Sequence, residues 1–227
     1  MPSGAAPMEP PGWGLFAQWH SLIERHDPRF TLVAAVREVA EPLARLEASI
    51  TVSMWNMQRH HTILSSRSTL ELDASLARKR VDTRFVLPRR VAERRSPMAS
   101  SIEPGLRLAP VAHPLMICDG GRMVVGDSTG ETVWTSTDAG VVAEARAFFE
   151  RVWDAAEPAV APGAPPPYTP RMVQIAYRLI DGATDREISR SLAVSERTVS
   201  ADVREMSRRL GARSRAHAIS LICGVEG

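Results

Sequence analysis

The chain predicts an α/β domain, a mixed sheet with flanking helices, followed by a small all-α domain of four helices. Three observations carry this. The stretch EPAVAPGAPPPYTP, residues 157 to 170, is dense in proline, which fixes φ, lacks an amide donor and biases its predecessor away from helix. Before it, apolar periods of 2 and 3.6 alternate; after it, only helical spacing occurs. The 227 residues, 44% hydrophobic and 24% charged, allow two modest domains with real cores. The expected division is a disordered N-terminus over 1–12, an α/β domain over 13–156, a proline-rich linker over 157–168 and a helical domain over 169–227.

The elements follow in order. GLFAQWHSLIERH places Leu15, Trp19, Leu22 and Ile23 on one helical face. TLVAAVREVAEPLARLEAS reads as a second helix, bent or broken at Pro42. ITVSMWNM, residues 50–57, is a strand. STLELDASLARK is a helix with Leu70, Ala74 and Ala77 on one side, and DTRFVLP is a strand stopped by Pro88. Strand, helix and strand in that order predict a parallel pair with a crossover. LRLAPV, PLMICDGGRMVVGD and ETVWTST are antiparallel strands, Asp119-Gly120-Gly121 supplying the positive φ of a tight hairpin. In the next helix Asp138 caps, and Val142, Ala145, Phe149, Val152 and Trp153 form the apolar stripe.

Beyond the linker, Thr169 is an N-cap with Pro170 at the first helical position, and Met172, Ile175, Ala176 and Leu179 repeat until Asp181-Gly182. Thr184 and Glu187 form a capping box for a short helix whose core face is Ile188 and Leu192. After the turn Ala193-Val194-Ser195, Ser195 caps a third helix. There Val199, Val203, Met206 and Leu210 make a buried stripe. Arg197, Ala201, Arg204 and Arg208 repeat the same offsets two residues earlier, roughly 200° around the helix. One face packs and the other presents arginine. The short helix and the turn before it give the layout of a helix-turn-helix, whose second helix enters a major groove.

Net charge is only +2, and Lys79 is the one lysine among 28 basic residues, so arginine count alone says little. Position says more: from Arg204 to Arg215 there are five arginines and one acid, Glu205, the density of a phosphate-binding surface. A solvated helix face is the bland alternative.

Residues 169–223 resemble the C-terminal DNA-binding domain of LuxR/NarL-type transcriptional regulators. The matching positions are Thr169-Pro170-Arg171-Met172; Gly182, Thr184, Glu187-Ile188-Ser189 and Leu192; Ser195, Thr198-Val199 and Val203; and Leu210-Gly211 with Ser214-Arg215. Met172 stands where the family has glutamate, so the first helix lacks a reciprocal cap. Ser200 and Asp202 stand where many relatives have Lys and His, which weakens phosphate contact and alters the sequence read. The resemblance implies base contacts from Ser200, Ala201 and Arg204, and phosphate contacts from Arg197, Thr198, Arg208, Arg209 and Arg213. Asp202 is expected to orient an arginine rather than to meet a cytosine amino group. The family dimerises on DNA through its last helix, here SRAHAISLICGV, which offers Ala218, Ile219 and Ile222 to a partner or to the four-helix core. The implied partners are double-stranded DNA carrying an inverted repeat, a second copy of the chain and, for an activator, RNA polymerase. A role in activating a nearby gene cluster, such as one for antibiotic or other secondary-metabolite biosynthesis, follows from the family's habits.

The domain over 13–156 is then a regulatory and dimerisation domain. It has no aspartate and lysine set for a phosphoryl receiver, and Tyr168 and Tyr177 lie outside it, against an acyl-homoserine-lactone pocket. Residues 67–156 resemble the phospholipase-D-like effector module of TrmB-type regulators. Catalysis in that module needs His-x-Lys; here His113 is followed by Pro114 and Leu115, so His113 reads as scaffold and the domain as non-catalytic. The competing reading is a phosphodiesterase with an accessory DNA-binding domain. Arg59-His60-His61 reads as surface loop. Trp55, Met57, Phe85, Met116, Trp134 and Trp153 could serve a small-molecule cleft or the core, and no effector is named by them. Cys118 and Cys223 lack metal-ligand spacing, so no metal or cofactor is expected and both thiols are expected buried in a reducing cytoplasm. No run of eighteen apolar residues calls for a membrane.

Overall fold

The computed structural model describes residues 12–60, 79–103 and 105–224. They form two compact units that do not follow the chain linearly. The first takes 12–59, 79–88 and 109–157 of the described residues; the second takes 60, 89–103, 105–108 and 158–224. Residues 89–103 and 105–108, assigned by composition to the α/β domain, pack with the helical one. Residues 1–11 of the expected disordered N-terminus and nearly all of the helix expected over 68–79 lie outside the described residues.

The first unit is a mixed sheet with helices on both faces. Its strands are β1 (Thr31–Ala35), β2 (Ser53–Met57), β3 (Asp82–Leu87), β5 (Leu115–Cys118), β6 (Arg122–Gly126) and β7 (Thr132–Ser136). They stand in the order β1-β7-β6-β5-β2-β3, with β2 and β3 parallel and the other pairs antiparallel. Two strands of two residues each, β4 (Arg107–Leu108) and β8 (Glu157–Pro158), complete the strands. Side chains alternate across a strand, and the sequence obeys this. Trp55, Met57, Leu115, Ile117, Met123 and Val125 meet helices α1 (Trp13–Glu24) and α4 (Ala139–Ala155) on one face. Met54, Met116, Cys118 and Val124 meet Leu43 and Leu46 of α2 (Ala40–Ser49) on the other.

Two local devices fix this register. The three-residue β5–β6 connection holds Asp119 at φ 51° and Gly120 at φ 63°, paired positive values that tighten the hairpin, and the Gly121 amide donates to the Cys118 carbonyl at 3.1 Å. The Asp119 carboxylate then accepts the amides of Thr51, Val52 and Ser53, at 2.7 Å for Val52, tying the hairpin to the entry of β2. Partial burial would raise this carboxyl, but those amides outweigh it and hold it below its ordinary value. Asp138 caps α4 by accepting the Val141 amide at 3.0 Å, as its sequence position predicts.

One expected element is corrected. Thr31–Ala35 is not the start of a helix but edge strand β1, paired antiparallel to β7 with a bulge between Leu32 and Ala34. A 3-10 turn over Val36–Glu38 separates it from α2. Pro42 therefore breaks nothing: it sits in the first turn of α2, where an amide has no partner four residues back.

The second unit contains helices α3 (Ala99–Ile102), α5 (Pro170–Ile180), α6 (Asp185–Leu192), α7 (Glu196–Leu210) and α8 (Arg215–Ile222), with a π-type turn over Val91–Arg95. Its core joins Ile175, Ala176 and Leu179 of α5, Ile188 of α6, Val199, Val203 and Met206 of α7 and Ile222 of α8, together with Met98 and Tyr168. Proline-rich residues 157–168 thus end in an anchor: Tyr168 is buried, and its amide donates to the Ser101 hydroxyl at 3.0 Å.

Candidate nucleic-acid interface

Each helix of this motif starts at a residue whose side chain accepts an amide three positions on. Thr169 accepts from Met172, Thr184 from Glu187, Ser195 from Thr198 and Ser214 from His217. The Thr184–Glu187 box closes reciprocally, with the Thr184 amide donating to Glu187 at 2.8 Å. That bond holds the Glu187 carboxyl below its ordinary value. The α6–α7 turn passes through Ala193 at φ 53°, a left-handed conformation that costs a residue with a Cβ roughly 1–2 kcal/mol. Gly211, at φ 66°, ends α7, the usual place for glycine.

The relative setting of the helices rests on two polar networks. Asp202, buried on α7, takes both Nε and Nη2 of Arg171 on α5, at 2.6 and 3.3 Å. Asp202 therefore orients an arginine of its own unit, which raises the Arg171 guanidinium further above its ordinary value. The second network joins three helices. Asp185, the first residue of α6, accepts the Ser200 hydroxyl of α7 at 2.6 Å and pairs with Arg215 at the start of α8. Burial would raise Asp185, but the hydrogen bonds from Arg215 and Ser200 prevail and lower it. Sequence reading did not find this network. Its one signal is an acid and an arginine at the first positions of two short helices, which implies no mutual contact until the helices are packed.

Around α7 the residues sort as the periodicity predicts. Val199, Val203 and Met206 are buried, whereas Arg197, Ala201, Arg204 and Arg208 are exposed on the opposite side. Arg204 donates from Nε to the Ser200 carbonyl at 3.3 Å, lying along its own helix. Ser200 and Thr198 flank the stripe half-buried, the first turned to Asp185 and the second sharing its hydroxyl with Ser195 at 2.8 Å. Arg208 and Arg209 both pair with Glu205, at 2.7 Å each, and these bonds hold Glu205 well below the usual range, at about 2. Arg209 stands off the stripe: its Nη1 also reaches the Pro167 carbonyl. Arg213 follows the helix end, exposed.

In the last helix, two of the three expected positions take the core alternative. Ala218 and Ile222, 2% and 1% exposed, are core residues of the unit itself, because α8 closes the cluster made by α5 and α7. Ile219 packs against the same core but keeps partial exposure.

In the first unit, His113 stands against Phe16 and His20, each 4.8 Å away between ring centres. Leu115, at the position where the phosphodiesterase reading needs lysine, is a core residue of β5. Trp55, Met57, Phe85 and Met116 are buried, and Trp134 and Trp153 pack half-buried against the core. Arg59 and His60 are exposed, and His61 lies outside the described residues. Cys118 is buried, its thiol pushed up to about 12 by that burial, and Cys223 is half-buried. No group of three metal-ligating side chains occurs among the described residues, and no helix among them is long and apolar enough to cross a membrane.

The model of the GerE family, described as bacterial regulatory proteins of the luxR family, matches residues 166–222. No curated relative matches the chain. Among solved structures, the chain is similar to TrmBL2, described as an archaeal chromatin protein with a novel mode of DNA binding. The TM-score is 0.45 at 16% identity, over 64% of this chain and 60% of that one. It is similar to Nuc, a phospholipase D family member from Salmonella typhimurium, with TM-score 0.43 at 14% identity over 56% and 93%. NucT from Helicobacter pylori gives 0.47 at 11% identity over 57% and 98%. The four capped helices and the arginine stripe fall within residues 166–222, the segment that the model of the luxR family of bacterial regulatory proteins matches.

Proposed function

We propose that the chain is a sequence-specific transcription regulator that binds an inverted repeat as a dimer, with a non-catalytic first unit serving regulation and dimerisation. The observation that carries this is the exposed stripe of Arg197, Ala201, Arg204 and Arg208, set opposite the buried stripe of α7. A helix so divided can lie in a major groove while the rest of the unit holds its angle. Arg204 and Ala201 read bases, arginine by bidentate bonds to guanine and alanine by contact with a thymine methyl, with Ser200 beside them. Arg197, Thr198, Arg208, Arg209 and Arg213 meet phosphates. A single module of this size binds weakly, so a second copy across the outward side of α8, where Ile219 is half-exposed, gives affinity and an operator of matching symmetry. Activation, with RNA polymerase as the further partner, is the direction we favour from the family resemblance.

The test is selection of oligonucleotides by the full-length protein at moderate salt, wild type against Arg204→Ala. A two-fold-symmetric motif is expected, with discrimination at the base pair that Arg204 reads falling by about 1–3 kcal/mol in the variant. An unchanged motif in Arg204→Ala would remove α7 from the groove.

A further inference from the structure

The helical unit also holds a concavity off its arginine stripe, bordered by the core residue Tyr168. Its volume is about 840 Å³, within the range of small-molecule sites. One wall is the central segment, residues 89–103, which brings Arg89 and Arg94; the other is the end of α7 and the start of α8, with Arg209, Arg213 and His217. Between them the lining is mixed, with Ser100 beside an apolar part that includes Tyr168, Leu210 and Leu221. Glu93 is the one carboxylate among the lining residues, and it already pairs with Arg89 at 3.5 Å.

The walls are held, not loosely apposed. Gly224, at φ 76°, brings the end of α8 against the central segment; a Cβ there would lie 2.4 Å from the Arg95 carbonyl oxygen, so only glycine allows the approach. The Tyr168 anchor fixes the apolar side. His217 accepts the Arg213 amide through Nδ1 at 3.1 Å, so its neutral ring carries the proton on Nε2 as a donor.

Of the four guanidinium groups round the concavity, Arg89 pairs with Glu93 and Arg209 with Glu205, so the charge in excess is that of Arg94 and Arg213; these like charges repel, and low-dielectric walls focus their field. An anion relieves that repulsion, and the guanidinium fork matches a carboxylate or phosphate in bidentate fashion. The apolar lining suits the rest of such a molecule. We propose that this concavity binds an organic anion, a carboxylate or phosphate on an apolar body, and that this ligand and DNA compete for Arg209 and Arg213. The competition rests on the DNA reading above; the site itself does not.

The probe is 8-anilinonaphthalene-1-sulfonate, an anion on fused apolar rings that fluoresces on leaving water. Titrated into the full-length protein, it is expected to fill one saturable site per chain. Binding is expected to weaken roughly tenfold in Arg94→Gln, the loss of one charged hydrogen bond, and to stay near wild type in Arg94→Lys. Arg94 is exposed, so the variant folds, which circular dichroism checks; Arg213→Gln gives a second variant with the same expected loss. N-phenyl-1-naphthylamine, lacking the charge, is expected to bind wild type and Arg94→Gln alike. Absence of saturable binding, or equal affinity of the sulfonate for wild type and both glutamine variants, overturns the site. In a second arm, saturating sulfonate is expected to weaken wild-type affinity for a selected oligonucleotide, measured by anisotropy, and to affect Arg94→Gln less at the same concentration. Unchanged DNA affinity with the site filled overturns the competition. A protein that binds no DNA overturns the DNA reading and leaves the titration to decide the site.

Discussion

The sheet unit and the helical unit store their structural information at different ranges. In the helical unit each helix start is written within four residues, and Thr169, Thr184, Ser195 and Ser214 all cap as their spacing predicts. In the sheet unit, Thr31 faces Thr135 and Met54 faces Cys118, pairings of segments far apart in the chain that no local pattern announces. The units also treat charge differently. The helical unit places guanidinium groups at its surface and trims them with Glu205, Asp185 and Asp202. The sheet unit keeps ionisable rings such as His20 inside its aromatic core. Local codes place a binding surface; long-range packing holds the scaffold.

The largest way to sharpen this comparison is to truncate the sheet unit's core. Phe149 is fully buried, stacked on Trp55 at 5.4 Å and near Trp153 at 6.2 Å. Phe149→Ala is expected to cost about 3–5 kcal/mol, read as lost hydrogen-exchange protection in β2 and β5. A loss under about 1 kcal/mol would mean that the sheet is not held by its aromatic core.

That contrast explains what was legible. The family domain could be read from residues 169–223 because caps, stripe and breaker residues are all short-range. Even the role of Asp202 as the partner of an arginine was legible, although the arginine, Arg171, is an exposed residue one helix away. The β1 strand was not: Thr31-Leu32-Val33-Ala34-Ala35 has apolar spacing that fits a helix, and only the partner β7 makes it a strand. Residues 89–103 and 105–108 were misplaced for the same reason, since Met98 finds its core among residues 168–222. The burial of Ala218 and Ile222 was equally hidden, because a stripe on a short helix shows which side is apolar but not whether its own unit covers it.

The second test asks how much a local code contributes. Thr184→Ala removes the α6 cap and is expected to cost about 1 kcal/mol, measured by denaturant unfolding and by amide protection in α6. Thr184→Ser should restore most of it. If Thr184→Ala matched the Phe149→Ala loss, the division between local caps and long-range core would fail.

Acid separates the units by the chemistry of their buried groups. Burial lowers His20 from its ordinary 6.5, and although its bond to the Gly126 carbonyl and the charges of Asp127 and Glu24 pull the other way, burial prevails. Burial likewise lowers His113, with help from His20 and Arg59. A folded-state histidine below its unfolded value contributes stability that is full above pH 6.5 and is lost as pH falls below it, because the unfolded chain takes the proton first. In the helical unit the groups lowered in the acid range are carboxylates, Glu205 from 4.5 to about 2 with Asp185 and Glu187 also lowered, so their contribution persists until pH falls below about 4.5. Between pH 6.5 and 4.5 the sheet unit is therefore expected to lose hydrogen-exchange protection that the helical unit keeps. Glu47, raised by burial, opposes the trend over part of this window, so the slope is read as the difference between wild type and His20→Gln. His20→Gln keeps a polar side chain near the Gly126 carbonyl without the titrating ring and is expected to flatten the slope. An equal slope in the two proteins would show that the buried ring, which makes the scaffold unlike the binding surface, does not govern its response to acid.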